Sequence, residues 1–234
     1  MHSISGFKTL IFILLTMGMA MDAHAQFSAR DNANYLDFQS KRYYFGMSFG
    51  ANIAKFHVIQ ANALYTDQSL HIVESAPKGG FNIHLISNLK MGEYFDFRFN
   101  PGFSFMYRQL IYNNSASKEI ESVYFETPFG VRFKSAPYKD KRAFVSAGLK
   151  YGYDVASNSR SRKAENLIKL SPHDFQWEAG IGMQIFYPFF IFSPEIKISR
   201  GLGNSLIYNR NLPESIVLDR INSQIVTISF NFEG

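Results

Sequence analysis

Residues 95–107 read FDFRFNPGFSFMY and decide the fold. Aromatic side chains occupy the odd positions on both sides of Pro101, whereas the even positions from Asp96 to Ser104 are polar or glycine. Successive side chains of a β-strand point to opposite faces, so a period of two places the rings on one face and the polar groups on the other. The pattern predicts a strand with one apolar and one polar face.

The same period recurs in seven other stretches, which gives eight strands. These stretches lie within residues 43–54, 81–89, 123–134, 145–154, 175–187, 190–199 and 226–232. An even number of strands, most of them long enough to cross a bilayer when tilted, is typical of outer-membrane barrels.

The connections between these strands alternate in length. Long polar connections cover residues 55–79, 113–120, 156–172 and 200–222, and short ones lie near residues 89–93, 135–142 and 187–189. Bacterial barrels have long external loops and short periplasmic turns. We therefore predict an all-β fold, an eight-stranded antiparallel transmembrane β-barrel with long extracellular loops and short periplasmic turns.

Composition excludes several other classes of protein. The 234 residues are 46% hydrophobic and include no cysteine, which argues against a disordered chain, a disulfide scaffold and a Cys-ligated metal site. The net charge is +5, but the basic residues are scattered singly or in pairs, so we expect no nucleic-acid partner. The six histidines lack metal-ligand spacing, and we expect no metal and no cofactor.

The N-terminal region has the pattern of an export signal. Lys8 precedes the apolar run 10–15, and Ala23-His24-Ala25 resembles a cleavage site. We predict a signal peptide over residues 1–25, a periplasmic leader over 26–41 and a barrel over 42–234. The leader is largely polar and contains Tyr35, Leu36 and Phe38, and it is expected to hang in the periplasm within reach of a partner.

An eight-stranded barrel is only wide enough for side chains to fill its interior. Four cations and three anions on the polar faces are expected to form a nearly neutral structural network there, because an unpaired charge in a closed lumen costs several kcal/mol. Three prolines within the strands, Pro101, Pro128 and Pro194, predict bulges or rim positions. The seven charged residues are Arg98, Glu126, Arg132, Lys150, Glu178, Glu195 and Lys197.

Two catalytic alternatives use the same residues. His84 with Ser87 or Glu126 is compatible with a lipid A hydrolase, although no local motif supports it. Glu126, Glu178 and Glu195 are compatible with paired acid and base residues, but the neighbouring cations favour structural ion pairs. We predict no catalytic residues.

Five segments carry a resemblance to a known family. They are residues 41–46, 91–105, 151–157, 192–204 and 219–223, and they resemble the PorT/SprT outer-membrane barrel proteins of Bacteroidetes, associated with type IX secretion and gliding motility. The positions taken as the motif are Gly92, Glu93, Tyr94, Pro101, Gly102, Pro194, Glu195, Asp219 and Arg220.

The resemblance implies a non-catalytic outer-membrane component or assembly factor of the type IX secretion machinery. Expected partners are outer-membrane lipid, lipopolysaccharide and other secretion subunits. The basic loops 157–169 and 209–220 are suited to binding the phosphates of lipopolysaccharide. The alternative is a small adhesin or membrane-stabilising barrel unconnected to secretion.

Overall fold

The computed structural model describes residues 32–60, 73–112, 116–156, 169–207 and 218–234. The predicted signal peptide, residues 26–31 and most of the two basic loops lie outside these ranges. No helix in the described ranges is long and apolar enough to cross a membrane. The elements are one helix, α1 (Ala33–Gln39), and eleven strands: β1 (Tyr43–Gln60), β2 (Val73–Lys90), β3 (Phe95–Phe99), β4 (Gly102–Tyr112), β5 (Ala116–Lys134), β6 (Lys141–Asp154), β7 (Lys169–Leu170), β8 (His173–Phe186), β9 (Ile191–Gly201), β10 (Leu206–Ile207) and β11 (Leu218–Glu233).

The long strands form a closed antiparallel ring. Its order is β1, β2, β3 with β4, β5, β6, β8, β9 and β11, and β11 pairs with β1 to close it. Strands β7 and β10 form a separate two-stranded sheet. Strands β3 and β4 follow one another in the same place of the ring, between β2 and β5, so the ring has eight strands. The predicted eight-stranded barrel is confirmed.

A proline causes the division between β3 and β4. Ser87 faces Phe99 and His84 faces Gly102, so the register against β2 is the same on both sides of Pro101. Pro101 has no N–H to donate to the ladder, but its carbonyl still accepts a hydrogen bond from the Leu85 amide at 2.8 Å. The two strands are one barrel strand, as the aromatic pattern predicts.

The prediction of bulges at the three prolines is wrong. The register is continuous across Pro101, and Pro128 and Pro194 pair in sequence with Lys150 and Phe230. A bulge needs an extra residue in one strand, whereas a proline only removes one donor. Register shifts occur instead between Pro77 and Phe81 in β2 and between Ile59 and Gln60 in β1.

Four strands extend well into the predicted loops. Strand β1 runs to Gln60, β2 starts at Val73, β5 starts at Ala116 and β11 starts at Leu218. The alternation continues there with opposite polarity: Lys55 and His57 are exposed, and Phe56 between them is buried inside. The outer face becomes polar where the strand leaves the lipid. A sequence pattern that requires an apolar outer face therefore misses this part of the strand.

The two ends of the barrel differ. Short turns join β2 to β3, β5 to β6 and β8 to β9 at one end, called the turn end, where both described termini also lie; the opposite end is called the loop end. Between them, large apolar side chains cover the outer wall, with Phe45, Leu149 and Ile181 about 60% exposed. Aromatic residues near the strand ends are also exposed on this wall: Tyr43, Tyr107, Tyr153, Tyr187 and Phe232.

The apolar wall predicts a strong response to a charge placed on it. Ile181 is 62% exposed on β8 and pairs with Val145, so Ile181→Arg puts a guanidinium into hydrocarbon. We expect a loss of about 2–4 kcal/mol of folding free energy, measured by urea unfolding from lipid vesicles. Leu202→Arg is the control, because Leu202 is equally exposed but lies beyond β9. Equal effects of both substitutions would contradict a lipid-facing β8.

Candidate functional site: the charged interior and its helical cap

The barrel interior is filled with paired charges. Twelve charged residues are buried, and Glu178 and Lys197 beside them are partly buried. Among these fourteen described residues, cations and anions are equal in number, so their charges cancel. The cations are Arg98, Arg108, Arg132, Lys134, Arg142, Lys150 and Lys197, and the anions are Asp96, Glu126, Asp154, Asp174, Glu178, Glu195 and Glu233.

One chain of ion pairs crosses the middle of the lumen. Glu126 lies 3.0 Å from the Lys150 ammonium and 3.2 Å from the His84 ring. Lys150 continues to Glu178 at 3.9 Å, and Glu178 contacts Lys197 at 3.5 Å. Four strands, β2, β5, β6 and β8, are therefore linked to β9 through side chains across the lumen.

A second group places two guanidinium groups between two carboxylates. Arg98 contacts Glu233 at 2.8 Å and Glu195 at 3.8 Å, and Arg132 contacts the same two residues at 3.5 and 3.9 Å. Arg132 also stacks on the Phe144 ring at 3.8 Å. Glu195 accepts further hydrogen bonds from Ser146 and Asn231. This group joins β3 and β5 to β9 and β11.

All seven charged residues chosen from the sequence face the interior and take part in these two groups. Seven further charges were missed. Asp96, Lys134 and Asp154 stand on the polar side of predicted strands and were recognisable by that criterion. The other four lie outside the predicted strands: Arg108, Arg142, Asp174 and Glu233.

Glycine makes space for the charges at one strand. A Cβ atom at Gly180 would lie 2.6 Å from the Lys197 side chain and 2.7 Å from the Ser146 hydroxyl. Any larger residue would displace the Glu178–Lys197 pair. The cavity that remains near Arg98, Asn100 and Lys197 measures about 30 Å³, room for about two waters.

An apolar cluster closes the lumen at the loop end. It comprises Phe56, Leu110, Leu170, Leu218 and Ile221, all buried. Below it, Arg108 lies over the Phe56 ring at 4.7 Å and donates to the Ser223 hydroxyl at 3.4 Å. Ser223 in turn donates to Asp174 at 2.5 Å.

Helix α1 closes the turn end, so the expectation of a free leader is wrong for residues 32–41. Tyr35 and Phe38 are buried against Tyr44, Phe186 and Ile191. An apolar face of two residues, Tyr35 and Phe38, packs the helix into the mouth of the barrel, whereas Leu36 is exposed.

Asp140, in the turn between β5 and β6, fixes the start of the helix. Its carboxylate accepts hydrogen bonds from the Tyr35 amide at 2.9 Å and the Asn34 side chain at 3.1 Å. Asp140 and Lys139 have φ angles of 55° and 49°, a tight left-handed turn that aims this carboxylate at the helix. Burial raises the pKa of the Tyr35 hydroxyl, so it stays neutral beside Arg142.

The structure assembles the catalytic alternatives only in part, since His84 contacts Glu126 at 3.2 Å but not Ser87. His84 faces the lumen, whereas Ser87 lies at an outward position of β2, so the two side chains are on opposite faces of the strand. Glu126, Glu178 and Glu195 are each held by cations. Within the described residues, no group of three metal-binding side chains forms a metal site.

The positions of the resemblance motif do not converge on one site. Gly92, Glu93 and Tyr94 are exposed in the β2–β3 turn, with Gly92 at a φ of 101°. Asp219 and Arg220 are exposed at the loop end. The remaining positions lie in the barrel wall between them: Pro101, Gly102, Pro194 and Glu195.

A closed eight-stranded ring with an apolar outer wall, a filled polar interior and short turns at one end defines an outer-membrane β-barrel of a bacterium. A family model described as the outer membrane protein beta-barrel domain matches residues 24–206. The chain belongs to this family. None of the curated proteins compared with the chain matches it.

Solved structures of small outer-membrane barrels are similar in shape and distant in sequence. OprG from Pseudomonas aeruginosa has a TM-score of 0.49 at 7% identity, covering 82% of this chain and 95% of that one. Neisserial surface protein A has a TM-score of 0.44 at 10% identity, covering 80% and 95%. Ail, the attachment invasion locus protein of Yersinia pestis, has a TM-score of 0.39 at 9% identity, covering 83% and 100%.

Removing one member of the second group of charges should destabilise the barrel. Arg98→Ala leaves Arg132 as the only arginine in contact with Glu195 and Glu233. We expect the free energy of unfolding to fall by about 3–5 kcal/mol. Urea unfolding followed through Trp177, the single tryptophan, measures it.

Lys78→Ala is the control for this substitution. Its ion pair with Glu119 at the loop end is exposed, so the expected change is at most about 1 kcal/mol. The double substitution Arg98→Met with Glu233→Gln should recover part of the loss, because it removes charge from both sides. Unchanged stability of Arg98→Ala would refute the network.

Substitution of a buried residue in helix α1 should loosen this helix without unfolding the barrel. Phe38→Ala removes a buried ring from the mouth of the barrel and leaves the hydrogen-bonded ring intact. We expect exchange of the Tyr35 amide hydrogen to accelerate about 100-fold, because the free energy of detaching the helix falls by about 3 kcal/mol. Leu36→Ala, on the exposed side of the same helix, should leave the exchange rate unchanged. A free leader would instead show fast exchange in every variant.

Proposed function

We propose that this protein is a non-conducting, non-catalytic barrel that acts through its surfaces as a component or assembly factor of the type IX secretion machinery. The filled interior carries the first part of the proposal. Ion pairs occupy the middle of the lumen, an apolar cluster closes one end and helix α1 closes the other. A barrel closed in this way works by binding other molecules at its outside.

The resemblance of five segments to the PorT/SprT family supports the secretion role. One of these segments, residues 91–105, includes the whole β2–β3 turn. Its exposed residues Glu93 and Tyr94 face the compartment into which both described termini also project. Secretion subunits in the periplasm would reach the barrel from this side.

The three turns of this end also present apolar side chains to the surroundings. Tyr94 is 43% exposed in the first turn, Tyr138 is 59% exposed in the second and Phe189 is 91% exposed in the third. Exposed apolar groups that surround one opening suit a protein partner. We place the contact with the secretion machinery on this rim.

The strands that extend at the loop end favour the adhesin alternative. Strands β1 and β2 have 18 residues each and β5 has 19, and β3 with β4 forms one barrel strand from Phe95 to Tyr112. A tilted span needs only about 9–11 residues. A wall that projects beyond the lipid would present a surface to an external ligand.

Gene deletion with proteomics of the medium and the periplasm separates the two functions. Loss of a secretion component should retain cargo with C-terminal signals in the periplasm and deplete it from the medium. Complementation with the double variant Tyr138→Ser and Phe189→Ser should restore a folded barrel but less than about a tenth of the secretion, since two exposed anchors of an interface are removed.

Leu202→Ser is the matched control, because Leu202 is 60% exposed at the opposite end. It should restore secretion fully. Normal secretion in the deletion strain would exclude the secretion role, and a loss of surface attachment in that strain would support the adhesin. Normal secretion with the double variant alone would exclude only the rim as the contact.

A further inference from the structure

The turn end holds a pocket whose charge the described protein does not balance. It measures about 230 Å³ and lies between helix α1 and the β2–β3 and β5–β6 turns. Drug-sized ligands usually occupy about 300–1,000 Å³, so this pocket suits a smaller group. Its lining residues are Tyr35, Gln39, Lys90, Gly92, Glu93, Lys134 and Arg142.

Arg142 is buried in this pocket without a carboxylate partner among the described residues. It is 3% exposed, and its guanidinium donates to the carbonyls of Ser135 at 2.7 Å and Glu93 at 2.9 Å and to the Tyr35 hydroxyl at 3.3 Å. These acceptors are neutral. Three of its five N–H groups are thereby used, and its positive charge is not compensated.

Lys90 is a second cation of the same kind. Its ammonium donates to the carbonyl of Phe38 on helix α1 and lies 5.8 Å from the Tyr44 ring, without an ion pair among the described residues. Lys134 differs, since Asp96 holds it at 2.5 Å. Two ammonium N–H groups of Lys90 remain for another acceptor.

The local charge is positive although the fourteen buried and partly buried charges of the lumen cancel. Three cations and one carboxylate, Glu93, line the pocket, and Asp96 balances Lys134. Glu93 is exposed at the rim. One positive charge is left over, and a bound anion would neutralise it. Burying an uncompensated charge costs several kcal/mol, so an anion in this pocket stabilises the barrel.

We propose that this pocket binds a phosphate group. Arg142, Lys90 and Lys134 come from three different strands and surround the space, an arrangement that fits a tetrahedral group with several acceptor oxygens. A planar carboxylate would use only the guanidinium fork. The proposal is independent of the secretion role.

Two sources can supply the phosphate: the free ion and the headgroup of a phospholipid. The lipid source has structural support, because Lys134 also borders an apolar groove of about 900 Å³ on the outer wall. Phe133, Ala143, Val145, Ile181 and Met183 are among the residues that line this groove. The groove and the pocket lie on opposite faces of β5 and approach each other at Lys134, the last residue of that strand, so an acyl chain in the groove would be near the pocket there.

The test uses the full chain, refolded in phosphate-free detergent. Inorganic phosphate is titrated by calorimetry at constant ionic strength, and in a second arm the protein is placed in nanodiscs of phosphatidylcholine with or without phosphatidylglycerol. Native mass spectrometry then measures retained lipid. Saturable phosphate binding identifies the free ion, and selective retention of phosphatidylglycerol identifies the headgroup.

Arg142→Gln should weaken binding at least about 10-fold, because it removes a charged donor. Lys90→Gln, a half-buried position, should weaken it several-fold and keeps the test decisive if Arg142→Gln does not fold. Lys141→Gln is the matched control: it removes the same charge one residue away on the outer face and should bind normally. No saturable binding in either arm, or equal affinity in the Lys90→Gln and Lys141→Gln variants, would overturn the proposal.

Discussion

The structure depends on the closure of one ring of backbone hydrogen bonds. In hydrocarbon no water can satisfy a free N–H or carbonyl group, so the strands must pair on both sides, and the pairing of β11 with β1 removes the last open edge in the membrane-spanning part. Eight strands fix the diameter of the barrel at a width that side chains can fill. The need to fill this space with groups of opposite charge follows from that diameter.

The polarity of the two faces changes along the strands because their surroundings change. Inside the lipid, β1 places Phe45 and Phe49 outward and Ser48 inward; beyond the lipid, the same strand places Lys55 outward and Phe56 inward. The loop end is therefore organised like a soluble protein, with an apolar centre and a polar surface. Helix α1 repeats this principle at the turn end, where Phe38 is buried and Leu36 is exposed.

The sequence was most informative where one rule acted alone. The period of two in residues 95–107 predicted a continuous barrel strand, and the polar faces correctly identified Glu126 and Glu195 as interior residues. It was misleading where two rules competed, as in residues 55–57, where the polar side chains face outward and Phe56 faces inward. The position of helix α1 against the barrel could not be predicted from its own residues, because Asp140, more than 100 positions away in the chain, fixes its start. The surroundings of Arg142 depend in the same way on distant residues, Tyr35 and Glu93, which lie 107 and 49 positions away.

The position of Glu233 on the closing strand has a consequence for assembly. Arg98 and Arg132, on β3 and β5, face each other across a space that Glu233 enters only when β11 docks against β1 and β9. Before that step the growing sheet carries an excess of positive charge on its concave face. Ring closure therefore completes the neutralisation that Glu195 on β9 begins, and a sheet that closed without β11 in register would leave two guanidinium groups with one carboxylate.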